Sequence, residues 1–178
     1  MLTSSSQNTG DVWAEERKNI ISRMLADFPY LSSPFQVVDA ALELAEPGSK
    51  EVLVDLGCGD GSVLLRAAEK FRVFSVGFEL DVRLLETARR RIRSAGLNHM
   101  VDLVHADLFQ VDLSKFSLIY VYPFPSIVKK LSLKLIMECR KGVRIMVHDH
   151  PLEGFKPTKT ESIPSGKEHI HIVYLYVL

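Results

Sequence analysis

The sequence predicts an α/β fold: a mostly parallel, seven-stranded sheet with an antiparallel C-terminal hairpin and helices on both faces. Three observations predict it. Beyond Lys50, short apolar runs alternate with stretches of helical periodicity, the pattern of parallel strands joined by right-handed crossovers. A glycine-rich turn, Gly57-Cys58-Gly59-Asp60-Gly61, separates the first of these runs from the helical stretch that follows. The last two apolar runs have no helix between them, only Pro164-Ser165-Gly166-Lys167, which is a hairpin signal.

Taken in order, residues 1–11 read as a flexible tail without the basic start or apolar centre of a secretory signal. Residues 12–178 read as a single domain: N-terminal helices over 12–48 and a βα core over 51–178. Val12, Trp13, Ile20, Ile21, Met24, Leu25 and Phe28 recur at helical spacing and predict an amphipathic helix. Pro29 and Pro34 bracket a short extended linker, and Ser33-Pro34 is a cap and first-turn pair for a second helix over 35–45, ending near Pro47-Gly48. Strands are predicted over 51–55, 73–79, 101–106, 118–122, 143–148, 158–163 and 169–177. Helices are predicted over 62–70, 81–95 and 126–139.

Composition narrows the class. The chain has 178 residues, 47% of them hydrophobic, with 22 basic and 22 acidic side chains and two cysteines. That is enough apolar material for one packed core, and a net charge of zero lacks the basic footprint of a dedicated nucleic-acid binder. No apolar stretch approaches the roughly 18 residues of a membrane span. Cys58 and Cys139 are too few for a metal cluster and too far apart in sequence for a redox motif, so a cytoplasmic setting is expected. Within the neutral total, residues 1–125 carry 13 basic and 17 acidic side chains, and residues 126–178 carry 9 and 5.

The glycine turn is the most informative feature. Gly57, Gly59 and Gly61 between a strand and a helix allow close approach of a nucleotide-like ligand. The dinucleotide fingerprint needs its third glycine three positions after the second, where this chain has Ser62. Asp55 and Asp60 would also repel a pyrophosphate. A cationic ligand without phosphate removes the conflict, and S-adenosylmethionine is one. Glu79, 22 residues after Gly57, is spaced to accept the ribose hydroxyls. Asp107 ends the third strand, where a carboxylate can accept from the adenine amino group. The expected cofactor set is Asp55, Gly57, Cys58, Gly59, Asp60, Gly61, Glu79, Leu80, Asp107 and Leu108. The alternatives are a solvated strand end for Glu79, a turn residue for Asp107, a helix cap for Asp60 and a buried filler for Cys58.

The combination VLVDLGCGDG, GFELD and HADLF resembles the Rossmann-like S-adenosylmethionine-dependent methyltransferases. Residues 28–178 further resemble the small archaeal protein lysine methyltransferases and their mitochondrial relatives. The residues that carry this are Pro29-Tyr30-Leu31-Ser32-Ser33-Pro34, DLGCGDG, Leu108-Phe109-Gln110-Val111-Asp112-Leu113, Lys141-Gly142-Val143-Arg144, Val147-His148-Asp149, Gly154-Phe155-Lys156-Pro157 and Tyr174-Leu175-Tyr176. The resemblance implies methyl transfer to lysines of a protein substrate, with S-adenosyl-L-homocysteine as the product. Tyr30, Tyr120, Tyr122, Pro123, Phe124 and His148 are the candidates for lining the acceptor pocket, with no catalytic base assigned; core packing is their alternative.

A lysine amine, with pKa near 10.4, must lose a proton before attack, and an apolar channel beside a positive cofactor lowers that pKa. Two other readings stay open: a methyltransferase acting on RNA or a small molecule, and a non-catalytic S-adenosylmethionine-binding protein. Tyr120-Val121-Tyr122-Pro123 lacks the Asn or Asp with which enzymes that methylate planar exocyclic amines accept from that amine. His148, Asp149 and His150 invite a metal reading, but no further ligand stands at suitable spacing, so no metal is expected. His169 and His171 read as surface or core positions. The run Arg89-Arg90-Arg91-Ile92-Arg93 reads as a solvated helix face. Membrane association is not expected, and the oligomeric state is left open.

Overall fold

In the computed structural model, residues 30–166 and 169–178 are described. The chain divides into two units, Met1–Leu31 and Ser32–Leu178. Of the first, Tyr30 and Leu31 are described, both with exposed side chains. The expected tail and the helix over 12–28 lie outside the described residues, and the account below concerns the second unit.

Helix α1 (Phe35–Ala45) starts after Pro34, whose ring presets a helix-compatible φ of −60°, and ends at Glu46 in the left-handed conformation. It buries Val37, Val38, Ala41, Leu42 and Ala45, the face its periodicity implied. The expected cap, Ser33, makes no capping bond; its buried hydroxyl is used elsewhere, as described below. Strand β1 (Val52–Leu56) leads through the glycine turn into α2 (Ser62–Arg66), which widens into a single π-turn (Ala67–Phe71) before β2 (Phe74–Glu79). Then come α3 (Val82–Ser94), β3 (Val101–His105), two 3-10 turns (Leu108–Gln110 and Leu113–Lys115), β4 (Leu118–Val121), α4 (Pro125–Glu138) and β5 (Arg144–His148).

The chain closes with the hairpin β6 (Lys159–Ser165) and β7 (His169–Val177). Pro164 and Ser165, expected in the turn, instead extend β6. Proline is tolerated there because β6 is the last strand of the sheet and one of its edges has no neighbour to receive an N–H.

The seven strands form one sheet in the order β3-β2-β1-β4-β5-β7-β6. The first five are parallel, and β7 runs antiparallel to both β5 and β6. One face packs Leu53, Leu118, Tyr120, Met146 and Val173 against α1, and the other packs Val54, Ile119, Val121, Ile145 and Val147 against Leu131 and Leu135 of α4. Leu85, Ala88 and Ile92 of α3 pack with Cys58 and Leu64. The strand order reverses between β1 and β4, the place where open α/β sheets bind ligands at the carboxyl ends of their strands.

Two local features hold the glycine-turn side of the fold. Asp39 on α1 takes a two-pronged bond from Arg66, 2.6 Å on each arm, and a third from Lys70, fastening α1 to the α2 segment. Gly77 of β2 lies beneath the glycine turn, where an added Cβ would stand 2.5 Å from Leu64 Cδ1 and 2.6 Å from Cys58 Sγ. Only glycine fits.

Both features generate tests. Gly77→Ala should cost about 1–3 kcal/mol in urea unfolding, because Leu64 and Cys58 are buried and cannot yield; an unchanged midpoint would mean the turn has slack there. The bond from Arg66, opposed by burial and aided by Lys70, holds the Asp39 carboxyl below its ordinary 3.8. A depressed folded value contributes stability above the unfolded pKa that is lost as pH falls. Asp39→Asn should therefore lower stability by about 1 kcal/mol at neutral pH and flatten the acid limb between about pH 4 and 2, and an acid limb as steep as the wild type's would contradict the assignment.

Candidate active site

Asp55 is the penultimate residue of β1, in register with Gly77 on one side and Tyr120 on the other. Its carboxylate is 2% exposed, and among the described residues Oδ2 is the buried side-chain polar atom without a hydrogen-bond partner. Burial first, then the charges of Glu79 and Asp60, push the Asp55 carboxyl well above the ordinary carboxylate range. A buried acid with a free oxygen at a switch point is a position that a ligand donor can satisfy.

The turn that follows is built on three positive φ angles, 85° at Gly57, 54° at Gly59 and 78° at Gly61. Four of its five N–H groups, and that of Ser62 after it, are used within the chain. Gly57 and Cys58 both donate to the carbonyl of Phe78, at 2.8 and 3.0 Å, and Gly61 donates to that of Cys58 at 2.9 Å. Gly59 donates to Glu79 Oε2 at 2.9 Å, and Ser62 to Asp60 Oδ1 at 3.1 Å. A phosphate cradle needs such N–H groups free, so the turn's hydrogen bonding, as well as its charge, disfavours a pyrophosphate.

Glu79 closes β2 and is held by three backbone donors, from Gly59, Leu80 and Asp81. Asp60 is less available than the sequence suggested. Beside its helix-capping bonds to Ser62, it forms an ion pair with Arg91 of α3, which offsets its charge. Arg91 thus leaves the arginine run to join the turn, while Arg89 pairs with Glu86 on the helix surface. Asp107 caps the first 3-10 turn by accepting from Phe109 N at 2.9 Å, with Leu108 half-buried beside it. Cys58 is buried among Leu64, Leu65 and Ala88, and burial raises its thiol far above the ordinary range.

The parallel register carries the site across the sheet. Leu56, Val121 and Val147 lie in one row, so Gly57, Tyr122 and His148 are the next residues at the ends of β1, β4 and β5. The Tyr122 ring stacks on His148 with centroids 3.8 Å apart, and its hydroxyl donates to Asp149 Oδ2 at 2.9 Å. His148 is fully buried, and desolvation drives its pKa down to about 4, so it stays neutral at ordinary pH. Burial and the bond to Asp149 push the Tyr122 hydroxyl up to about 12.

Behind them, Tyr120 is 1% exposed and donates to Ser33 Oγ at 2.9 Å, with His148 Nδ1 3.2 Å from that hydroxyl. Tyr120 therefore supports the corner from within the core. Pro123 is buried next to Tyr122, and Phe124 precedes the first turn of α4. Tyr30 belongs to the N-terminal unit and is 42% exposed.

One member of the corner was not singled out in the sequence. His171 of β7 places Nδ1 2.9 Å from His148 Nε2 and 3.0 Å from Asp149 Oδ2. The antiparallel pairing of β7 with β5 brings it there, continued by Asp149 N donating to Ile172 O and Ile172 N donating back to Asp149 Oδ1. The signal was the alternation of the last strand, which put His171 on the inward face with Val173 and Leu175. The partner, 23 residues away, was invisible without the strand pairing.

The chain matches the family described as ANTKMT methyltransferase domain over residues 55–159. It is 30% identical over 151 residues to a protein-lysine N-methyltransferase of Saccharolobus islandicus (strain REY15A), covering 84% of this chain and 93% of that one. It is 31% identical over 129 residues to the mouse adenine nucleotide translocase lysine N-methyltransferase, covering 72% of this chain and 56% of that one. The chain thus spans nearly all of the archaeal enzyme and about half of the mouse enzyme. Among solved structures it resembles a Salinibacter ruber RNA methyltransferase in complex with S-adenosyl-L-homocysteine. That match has 32% identity and a TM-score of 0.74, covering 83% of this chain and 93% of that one. With the match extending from Asp55 in the first strand to Lys159 in the hairpin, the chain belongs to the ANTKMT methyltransferase domain family.

Proposed function

We propose that the chain transfers methyl groups from S-adenosylmethionine to lysine amines of proteins. The observation that carries this is the row Gly57, Tyr122 and His148, which sets an acid-rich nucleotide turn beside an aromatic corner at one sheet edge. The protein-lysine specificity of the archaeal and mouse relatives supports the choice of acceptor.

The residues present fit the cofactor. Asp55 has a buried oxygen without a partner, the turn spends most of its N–H groups internally, and Glu79 and Asp107 stand at the next two strand ends. Asp55, Gly57, Cys58, Gly59, Gly61, Glu79, Leu80, Asp107 and Leu108 would hold it, with Asp60 acting mainly through the shape of the turn. S-adenosylmethionine supplies a methyl group on a sulfonium, from which a neutral thioether departs. The protein's part is to position the amine and exclude water. The Tyr122 ring, stacked on the buried, neutral His148, walls the acceptor side, and an apolar wall beside the positive cofactor favours the free amine. Direct displacement needs alignment more than a strong base, and none is assigned.

The acceptor is an exposed lysine, read by loops at this sheet edge. The two free cysteines fit a cytoplasmic setting. Among the described residues no helix is long and apolar enough to cross a membrane. The resemblance to an RNA methyltransferase structure favours RNA as the second reading. The balanced charge and the absence of an Asn or Asp before Pro123 weigh against it.

Incubation with methyl-labelled S-adenosylmethionine, lysine-rich proteins and RNA should place label on protein, recovered as methyllysine after hydrolysis. Label confined to RNA would overturn the acceptor assignment. Glu79→Ala should weaken S-adenosylmethionine binding by about tenfold to a hundredfold by calorimetry, the scale of lost charge-assisted hydrogen bonds. An unchanged affinity would remove Glu79 from the cofactor set.

A further inference from the structure

We propose that His148, Asp149 and His171 bind one divalent transition-metal ion of the zinc type. Three ligand atoms from the ends of β5 and β7 converge. His148 Nε2 lies 2.9 Å from His171 Nδ1, His171 Nδ1 lies 3.0 Å from Asp149 Oδ2, and His148 Nε2 lies 3.3 Å from Asp149 Oδ2. Zinc bonds of about 2.0–2.1 Å in a tetrahedron separate neighbouring ligand atoms by about 3.3 Å. The observed triangle is close to one face of that tetrahedron, and the carboxylate and two imidazoles need to spread by only a few tenths of an ångström. Two histidines and one carboxylate with a remaining open position are a recurrent donor set for such ions.

The hydrogen bonding of the trio depends on the His148 tautomer: Ser33 Oγ, which accepts from Tyr120 OH, can donate to His148 Nδ1 and leave Nε2–H for Asp149 Oδ2. In the tautomer that gives the His148 Nδ1 proton to Ser33 Oγ, Nε2 presents a lone pair to Asp149 Oδ2, acceptor against acceptor. Only His171 Nδ1–H is then left to serve both. A cation at the centre satisfies all three lone pairs at once.

The surroundings match those of a built site. Ser33 Oγ and Tyr120 OH fix the far nitrogen of His148, Ile172 N fixes Asp149 Oδ1, and Tyr122 OH donates to Oδ2. Asp149 holds a left-handed φ of 58°, unusual for a residue with a side chain, and this aims its carboxylate inward. Four of the chain's six histidines collect here, His169 beside His171 and His150 beside Tyr122. The Asp149 and His171 side chains remain 17% and 11% exposed, which provides a path of entry. The ion would tie the end of the parallel sheet to the hairpin. The inference rests on this geometry and not on the identity of the methyl acceptor.

The test is zinc titration of the chelator-treated full chain in competition with a metallochromic chelator, with cobalt as a visible probe. One zinc per chain is expected, with intense visible bands from tetrahedral cobalt. His171→Gln and Asp149→Asn should each weaken binding by about a hundredfold, while His99→Ala, on the exposed surface, should change nothing. Calorimetric binding of S-adenosylmethionine verifies that each variant is folded. Substoichiometric zinc in the wild type, or binding undiminished in folded His171→Gln, would overturn the proposal. Should the variants fail to fold, the wild-type stoichiometry and cobalt spectrum decide alone.

Discussion

The arrangement depends on one buried carboxylate. Asp55 stands at the centre of the sheet, between Gly77 and Tyr120, with one oxygen unpartnered. Leaving such an atom unsatisfied is expensive, so the surroundings that fail to neutralise it are informative. The turn after it gives its N–H groups to the Phe78 and Cys58 carbonyls, to Asp60 and to Glu79, and none of them to Asp55 Oδ2. Packing enforces that shape from below, because Gly77 leaves room for Cys58 and Leu64 and nothing more. The result is an edge rich in carboxyl groups whose turn spends most of its N–H groups internally, which favours a cationic ligand over a phosphate.

Much of this was legible in the sequence. Alternating apolar runs imply a parallel sheet whatever its details, and all seven strands lie within a few residues of where the pattern placed them. The glycine spacing and the acids at successive strand ends are local signals, written in adjacent residues. What escaped were properties of pairing. Asp60 looked like a bare charge because Arg91 is 31 residues away and meets it only when α3 packs on the turn. Ser33 read as a helix cap because its sequence neighbour is Pro34. The folded chain instead turns its hydroxyl to Tyr120 and His148, 87 and 115 residues distant.

The imidazole corner shows the same limit most clearly. His148-Asp149 and His171 are separate in sequence, and the antiparallel pairing of β7 with β5 makes them neighbours. An antiparallel strand at the end of a parallel sheet delivers side chains to the carboxyl edge from the opposite chain direction. In this fold that strand brings a second imidazole to the carboxyl edge of the sheet, beside the Tyr122–His148 stack. The proposed cofactor half of the site is thus built from contiguous motifs, and the proposed acceptor half from contacts across strands.

The central claim is that this edge selects a cationic, phosphate-free nucleotide ligand through charge and through the internal use of its N–H groups. Calorimetry of the full chain with S-adenosylmethionine and, separately, with NAD tests it most directly. The account predicts one-to-one binding of S-adenosylmethionine and no saturable heat from NAD at millimolar concentration. NAD binding as tight as that of S-adenosylmethionine would contradict it.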